Sequence, residues 1–192
     1  MKIYDDIAEE YIEARSSQIG VRDILSFVEP FDKPIAILDL GCGSGAPIAQ
    51  SLIQYAHRYV GVDSSANLLK HFQENIPSAT PLLTPMESMD LQGEIFDLVF
   101  AYGSLFHLTP DQQRSALMLA AAAVMPGGLL TFTSGTEAGC CYGYVNETEI
   151  PHWSLGEAEY VALLTSEGFS YKGTTIAEGD NCFFTFIRDI GN

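Results

Sequence analysis

The segment IAILDLGCGSGAP, from Ile35 to Pro47, constrains the fold of this chain more than any other segment does. Its first residues form an apolar run of the length of a buried strand, and the glycine cluster that follows predicts a tight loop. A helical pattern then continues through Ile48, Leu52 and Tyr55. A strand, a glycine loop and a helix in this order open a doubly wound sheet, which binds ligands at the carboxyl ends of its strands.

The rest of the chain repeats this alternation of strands and helices. Strand patterns occur in YVGVD, Thr80–Thr84, IFDLVFAYGS and LLTFTS, and helical patterns cover Ala66–Asn75 and Asp111–Val124. Two runs rich in aromatic and β-branched residues, 169–177 and 182–187, predict a terminal antiparallel hairpin. We therefore expect an α/β fold with a doubly wound, mostly parallel, seven-stranded sheet, a C-terminal antiparallel hairpin and helices on both faces.

The length of 192 residues suits one domain, and we expect residues 1–192 to form it. Residues 1–30 predict an N-terminal helical cap, whereas 135–153 lack a strong period and predict an insertion over a site. The sequence MPGG before LLTFTS predicts a turn that ends the preceding helix. Ser154 and Glu157 have the spacing of a capping box and predict the start of a further helix.

The charge balance narrows the class of partner. Nine Lys and Arg against 25 Asp and Glu give a formal charge of −16, which repels nucleic acid and anionic membranes. The uncharged stretch 115–136 is broken by Pro126, Gly127 and Gly128, so it predicts a helix and a strand rather than a membrane span. The opening MKIYDDIAEE lacks the pattern of a secretory signal, so we expect a cytoplasmic protein, as a monomer or a homodimer. Cysteines and histidines show no metal-ligand spacing, so we expect no metal site.

The glycine loop has an acidic partner downstream. Gly41, Gly43 and Gly45 let the backbone approach a ligand without an intervening Cβ atom. Asp63 ends the second predicted strand about 20 residues later, where a carboxylate accepts hydrogen bonds from both hydroxyls of a ribose. The pattern predicts a nucleoside site, and through Ala46 it also satisfies the dinucleotide pattern G-x-G-x-x-A.

Charge near the loop favours one class of nucleoside cofactor. Asp39 lies just before the first glycine, and no Lys or Arg occurs between Lys33 and Arg58. This environment disfavours a pyrophosphate and favours the sulfonium and ammonium groups of S-adenosylmethionine. A nicotinamide-dependent (NAD) oxidoreductase and a nucleoside-binding module without catalysis stay open as alternatives.

Several segments resemble the class I, Rossmann-like S-adenosylmethionine-dependent methyltransferases. ILDLGCGSGAP and VGVDSS are similar to the first two motifs of that family, and FDLVFAYGSLFHL and MPGGLLTFTS to its fourth-strand and fifth-strand segments. YDDIAEEYIEAR is similar to the N-terminal helix that closes over the methionine end of the cofactor. The resemblance implies methyl transfer from S-adenosyl-L-methionine to a small-molecule acceptor by in-line displacement. It implies cofactor contacts at Tyr11, Arg15, Asp39, Gly41, Cys42, Gly43, Asp63, Ser64, Met86, Glu87, Ala101 and Tyr102.

One position departs from the family pattern. Many relatives place an Asp after the third strand to bind the adenine amino group, and Pro85 stands there in this chain. We expect backbone groups at Met86 and Glu87 to contact the adenine in place of that Asp.

The acceptor side is predicted from the loops after the fourth and fifth strands. His107 follows the fourth strand and is our candidate general base, with a packed histidine in the apolar sequence SLFHL as the competing interpretation. We expect Phe106, Tyr144, His152 and Trp153 to line an acceptor pocket beneath the insertion, or else to pack the insertion onto the domain. The sequence does not identify the acceptor.

Overall fold

A computed structural model describes residues 5–6, 8–14, 19–145, 148–176 and 182–191. The main elements are α1 (Ala8–Ala14), α2 (Val21–Val28), β1 (Ile35–Leu40), α3 (Ile48–Leu52), β2 (Ala56–Asp63), α4 (Ala66–Asn75), β3 (Thr80–Leu83), β4 (Phe96–Ala101), α5 (Pro110–Ala123), β5 (Val124–Ser134), β6 (Gly139–Val145), β7 (Thr148–Ser154), α6 (Glu157–Ser166), β8 (Phe169–Ile176) and β9 (Cys182–Arg188). Short 3-10 helices lie at Ile53–Tyr55, Met86–Ser88 and Leu105–His107.

The sheet has seven strands in the order β3-β2-β1-β4-β5-β9-β8. Strands β1 to β5 pair in parallel, and β9 pairs antiparallel with both β5 and β8. After β1 the chain builds β2 and β3 on one side and then returns to build β4 and β5 on the other. This reversal between β1 and β4 creates the crevice in which such sheets bind ligands. The predicted fold class is confirmed.

Both faces of the sheet are covered by helices. In β1, whose six residues are all buried, Leu38 and Leu40 pack in the core that includes α5 and α6. Ile35 and Ile37 of the same strand pack in the opposite core, which includes α2, α3 and α4. Continuous apolar strands of this kind are expected when helices lie on both sides of a parallel sheet. Within the described residues, no helix is long and apolar enough to cross a membrane.

Two local predictions are corrected by the structure. MPGG is not a separate turn but lies inside β5, where the ladder to β4 is interrupted between the pairs Phe96–Val124 and Leu98–Leu129. Gly127 adopts a φ of 80° in this irregular stretch, which glycine tolerates. Ser154 does not cap α6; its hydroxyl donates to the carbonyl of Gly135.

The predicted insertion 135–153 coincides largely with a two-stranded antiparallel sheet, β6 paired with β7. We call it the β6–β7 hairpin. The 3-10 helix Leu105–His107, at the end of β4, is in contact with β7. The hairpin therefore lies beside the carboxyl ends of the central strands.

The N-terminal segment is tied to α4. Asp5 Oδ1 accepts hydrogen bonds from Ser65 Oγ at 2.8 Å and from the Asn67 amide at 3.0 Å. Glu9 Oε1 lies 2.9 Å from His71 Nε2. These contacts place α1 next to the loop that follows β2.

Candidate active site

A cavity of about 290 Å³ lies at the carboxyl ends of β1, β2 and β4. Its lining includes eight of the residues predicted to be functional: Tyr11, Gly41, Gly43, Asp63, Ser64, Met86, Glu87 and His107. The structure thus brings together side chains from α1, the glycine loop and the segments that follow β2, β3 and β4.

The glycine loop is held close to the neighbouring strands. The amides of Gly41 and Cys42 both donate to the carbonyl of Val62, at 2.8 and 3.1 Å. Gly41 has a φ of 78°, and a Cβ atom at this position would lie 2.3 Å from Ser104 Cβ. Glycine is therefore required at Gly41 both by conformation and by space.

Asp63 joins the loop to the start of α4. Its Oδ2 accepts a hydrogen bond from the Gly43 amide at 2.9 Å, and its Oδ1 accepts one from the Ser65 amide at 2.9 Å. Each carboxylate oxygen has a second lone pair for a ligand hydroxyl. Burial raises the pKa of Asp63 above its usual value, although the amide hydrogen bonds from Ser65 and Gly43 oppose this effect.

The segment after β3 forms another wall of the cavity. Pro85, Met86 and Glu87 line it, so the residue in place of the family's Asp does face the cavity. Glu87 Oε1 accepts a hydrogen bond from Gln112 Nε2 at 2.8 Å. Glu87 Oε2 is buried and has no hydrogen-bond partner among the described residues. This second oxygen is consequently available to a donor on a ligand.

Charge in the cavity has one sign. Asp63 and Glu87 contribute carboxylates, and none of the described residues in the lining is a Lys or Arg. A cationic ligand is stabilised by such a lining, whereas a pyrophosphate meets no compensating cation there.

Several predicted cofactor residues do not line the cavity. Asp39 is buried in β1, where its Oδ2 accepts a hydrogen bond from Tyr59 Oη at 2.9 Å. The ring of Tyr102 packs against Phe183, with 5.6 Å between centroids, in the core on the α2 side. Ala101 is buried at the end of β4. Burial, together with the charges of Asp39 and Asp63, raises the pKa of the Cys42 thiol. Arg15 lies outside the described residues.

His107 lies where the cavity approaches the β6–β7 hairpin. Its ring centroid is 4.6 Å from that of Phe106 and 4.9 Å from that of His152. The rings of Phe106 and His152 are also 4.6 Å apart, so the three rings form one cluster. At Gly143 a Cβ atom would lie 2.4 Å from His152 Cε1, so this glycine leaves room for the imidazole.

Both imidazoles of this cluster favour the neutral form. Burial, followed by the proximity of His152, lowers the pKa of His107 to about 3. Burial also lowers the pKa of His152. At neutral pH the acceptor side therefore presents uncharged rings beside the acidic cavity.

The other two predicted acceptor residues are placed differently. Tyr144 is 69% exposed on β6, and its hydroxyl donates to Glu149 Oε1 at 3.0 Å. Trp153 is half-buried, and its carbonyl accepts a hydrogen bond from Gln113. Neither residue lines the described cavity, and neither do Phe106 and His152, which contact the ring of His107 instead.

Two polar residues in the lining, Ser104 and Gln112, were not predicted from the sequence. Ser104 Oγ donates to the carbonyl of Leu40 at 2.6 Å and so links the ends of β4 and β1. Its position at the end of the predicted strand IFDLVFAYGS was an available signal, because strand ends converge on the ligand. Gln112 reaches the site from the first turn of α5, and no local pattern marks that approach.

Comparison with known proteins gives concordant results. A family model described as a methyltransferase domain matches residues 37–128. A tRNA U34 carboxymethyltransferase from Hahella chejuensis is 36% identical over 100 residues, which cover 49% of this chain and 30% of that protein. A trans-aconitate 2-methyltransferase from an Azoarcus species is 29% identical over 132 residues, covering 68% of this chain and 50% of that protein. The chain thus spans half or less of the length of these two relatives.

A solved structure agrees over the whole fold. The CcbJ methyltransferase from Streptomyces caelestis superposes with a TM-score of 0.75 at 19% identity, covering 97% of each chain. The segment matched by the family model holds the glycine loop, Asp63, Glu87 and His107, which are the residues that meet at the cavity. With its motifs in order along a sheet of this topology, the chain resembles the class I, Rossmann-like S-adenosylmethionine-dependent methyltransferases in fold, and residues 37–128 match a methyltransferase domain.

Proposed function

We propose that this protein transfers a methyl group from S-adenosyl-L-methionine to a small-molecule acceptor by in-line displacement. One observation carries the proposal: the glycine loop and Asp63 meet at one cavity whose described lining has carboxylates and no Lys or Arg. A carboxylate in this position suits the two hydroxyls of a ribose. The negative potential suits a sulfonium and an ammonium group.

The cavity suggests an orientation for the cofactor. Asp63 binds the ribose, and Tyr11 and the loop at Gly41 and Gly43 lie on the methionine side. Glu87 Oε2, buried and without a hydrogen-bond partner among the described residues, accepts from the adenine amino group. Met86 packs against the adenine face. In this arrangement Glu87 makes the adenine contact that the family's Asp makes, since Pro85 occupies the position of that Asp.

The chemistry requires alignment more than covalent participation by the protein. When bound, the cofactor supplies a methyl carbon activated by a positively charged sulfur. His107 faces the cavity as a neutral ring, so it does not repel this cation, and it accepts a hydrogen bond from the nucleophilic group of the acceptor. Leu108 and Met86 in the lining help to exclude water from the reacting atoms.

The charges of the site restrict the acceptor. An anionic acceptor such as trans-aconitate, named for the Azoarcus relative, would meet Asp63 and Glu87 with no cation in the described lining. A tRNA substrate would face the formal charge of −16. We infer a neutral or cationic acceptor with a hydroxyl or amine group. The same lining opposes the pyrophosphate of a nicotinamide cofactor.

We also infer that the protein works in the cytoplasm. Cys140 and Cys141 are exposed free thiols in the β6–β7 hairpin. Exposed thiols persist in reducing compartments.

The experiment is a transfer assay with isotopically labelled methyl donor and the small-molecule fraction of a cell extract, with mass spectrometry of the products. We expect a small molecule that gains one labelled methyl group. His107→Ala should lower the transfer rate at least about tenfold while affinity for the cofactor is kept, because the hydrogen bond that orients the acceptor is lost. Binding of the donor without any transfer would instead support a nucleoside-binding module.

A further inference from the structure

A fully buried amide lies beneath the cluster of aromatic rings. Gln113, in the first turns of α5, has no solvent exposure. Its Nε2 donates to the carbonyls of Leu108 and Trp153, each at 2.9 Å. Its Oε1 accepts a hydrogen bond from Tyr160 Oη at 2.7 Å. Both N–H groups of the amide are therefore used on backbone carbonyls of two separate segments.

The two carbonyls have a common position relative to the histidines. Leu108 directly follows His107, and Trp153 directly follows His152. One segment comes from the end of β4 and the other from the β6–β7 hairpin, and the centroids of the two imidazoles lie 4.9 Å apart. A single side chain thus fixes the backbone immediately after each ring.

The orientation of this amide is also fixed. Tyr160 Oη accepts a hydrogen bond from the Leu155 amide at 3.1 Å and lies 2.7 Å from Ser134 Oγ. Because both carbonyls need donors, the NH₂ end of Gln113 must face them and the oxygen must face Tyr160. The network has no freedom to flip the amide without losing hydrogen bonds.

We propose that Gln113 is a positioning residue that holds His107 and His152 together as one acceptor-binding pair. The proposal rests on the proposed function only in naming the acceptor as the ligand of the pair. His107 faces the cavity, and His152 supports its ring from the hairpin, so that loss of the amide lets the two rings separate. Their alignment then no longer suits the acceptor.

A test must separate positioning from simple stabilisation of the core. Gln113→Met keeps the length and volume of the side chain and removes both donors. Ser134→Ala is the matched control, because it alters the same buried network through Tyr160 but touches neither carbonyl. The ring Cε1–H signals of His107 and His152 are recorded by NMR, with S-adenosylhomocysteine affinity and the rate of label transfer to the extract measured alongside.

We expect Gln113→Met to move the signals of both histidines and to lower label transfer at least about tenfold. Affinity for S-adenosylhomocysteine should stay within about threefold of the parent, and Ser134→Ala should leave the histidine signals in place. Unmoved histidine signals in Gln113→Met, or equal movement in Ser134→Ala, would overturn the proposal.

A variant that does not fold, or a parent that transfers no label, still leaves the role of Gln113 testable. If Gln113→Met does not fold, Tyr160→Phe takes its place, because it keeps the buried ring and removes the hydroxyl that orients the amide. Tyr160→Phe should move the signals of both histidines away from their positions in the parent, and unmoved signals would again refute positioning. If the parent transfers no label, the methyltransferase proposal fails, while the NMR comparison still decides the role of Gln113.

Discussion

The ionisation of single side chains determines what this cavity binds. Burial raises the pKa of Asp63, which means that its charged form is destabilised by loss of contact with water. A cationic ligand offsets that destabilisation, so cofactor binding and ionisation of Asp63 favour each other. His107 differs from Asp63, because burial lowers its pKa and keeps the ring neutral next to a positively charged ligand.

Asp63→Ala should weaken binding of S-adenosylmethionine by about 1.5 to 3 kcal/mol, because charge-assisted hydrogen bonds to the ribose are lost. Titration calorimetry measures the change. Asp32→Ala, which removes an exposed carboxylate remote from the cavity, is the control and should bind as the parent does. Unchanged affinity in a folded Asp63→Ala variant would remove Asp63 from the cofactor site.

The lowered pKa of His107 predicts that the free energy of unfolding depends on pH. Its pKa is about 3 in the folded protein and near 6.5 in the unfolded chain, so between these values the unfolded chain binds more protons. The contribution of His107 to stability is complete above about pH 6.5 and is lost as the pH falls. Between these two pKa values, His107 alone lowers the free energy of unfolding by up to about 1.4 kcal/mol for each unit by which the pH falls.

Urea unfolding of the parent and of His107→Phe between pH 7 and pH 5 tests this sign. We expect a shallower fall of the unfolding free energy in His107→Phe than in the parent. His57→Phe, which replaces an exposed histidine, should keep the parent's slope. Equal slopes in the parent and His107→Phe would show that His107 is not held neutral by burial. The raised pKa of Asp63 acts with the opposite sign and is present in all three proteins.

Among the elements, the glycine loop has the strictest geometric requirement. The ends of β1 and β4 approach so closely that Ser104 occupies the space beside Gly41. Gly41→Ala should therefore displace the loop and lower cofactor affinity at least about tenfold. Gly93→Ala is a matched control, since Gly93 also has a positive φ, 80°, but has open space around it. Calorimetry on both variants separates steric displacement from conformational strain, and equal binding by the two would contradict the close approach.

The same elements show what sequence patterns can predict. Helix α4 was predicted over Ala66–Asn75 from its helical pattern and is observed over the same residues. The structure adds that Ser65 Oγ caps its start by accepting a hydrogen bond from the Leu68 amide. The β6–β7 hairpin was expected only as an aperiodic insertion. Its strands, GCCYGYV and TEIPHWS, do not alternate apolar and polar residues, so they carry no period-two signal. Only the backbone pairing in the structure, such as Cys141 with His152, identifies them as strands.

At the scale of the whole molecule, the site combines segments that are distant in sequence. Gly41, Asp63, Glu87 and His107 were predicted because each ends or follows a strand, and strand ends converge in a doubly wound sheet. Gln113 was not predicted as a site residue, because its importance depends on two carbonyls from separate segments. The acidic balance of the chain extends into the cavity, where it favours a cationic cofactor over a pyrophosphate.

The most direct measurement is a pair of calorimetric titrations of the unaltered protein, one with S-adenosylmethionine and one with NAD⁺. We expect S-adenosylmethionine to bind at least about tenfold more tightly, because the carboxylates of the cavity favour a sulfonium and no described lining cation compensates a pyrophosphate. Equal or tighter binding of NAD⁺ would contradict the assignment of this cavity to S-adenosylmethionine.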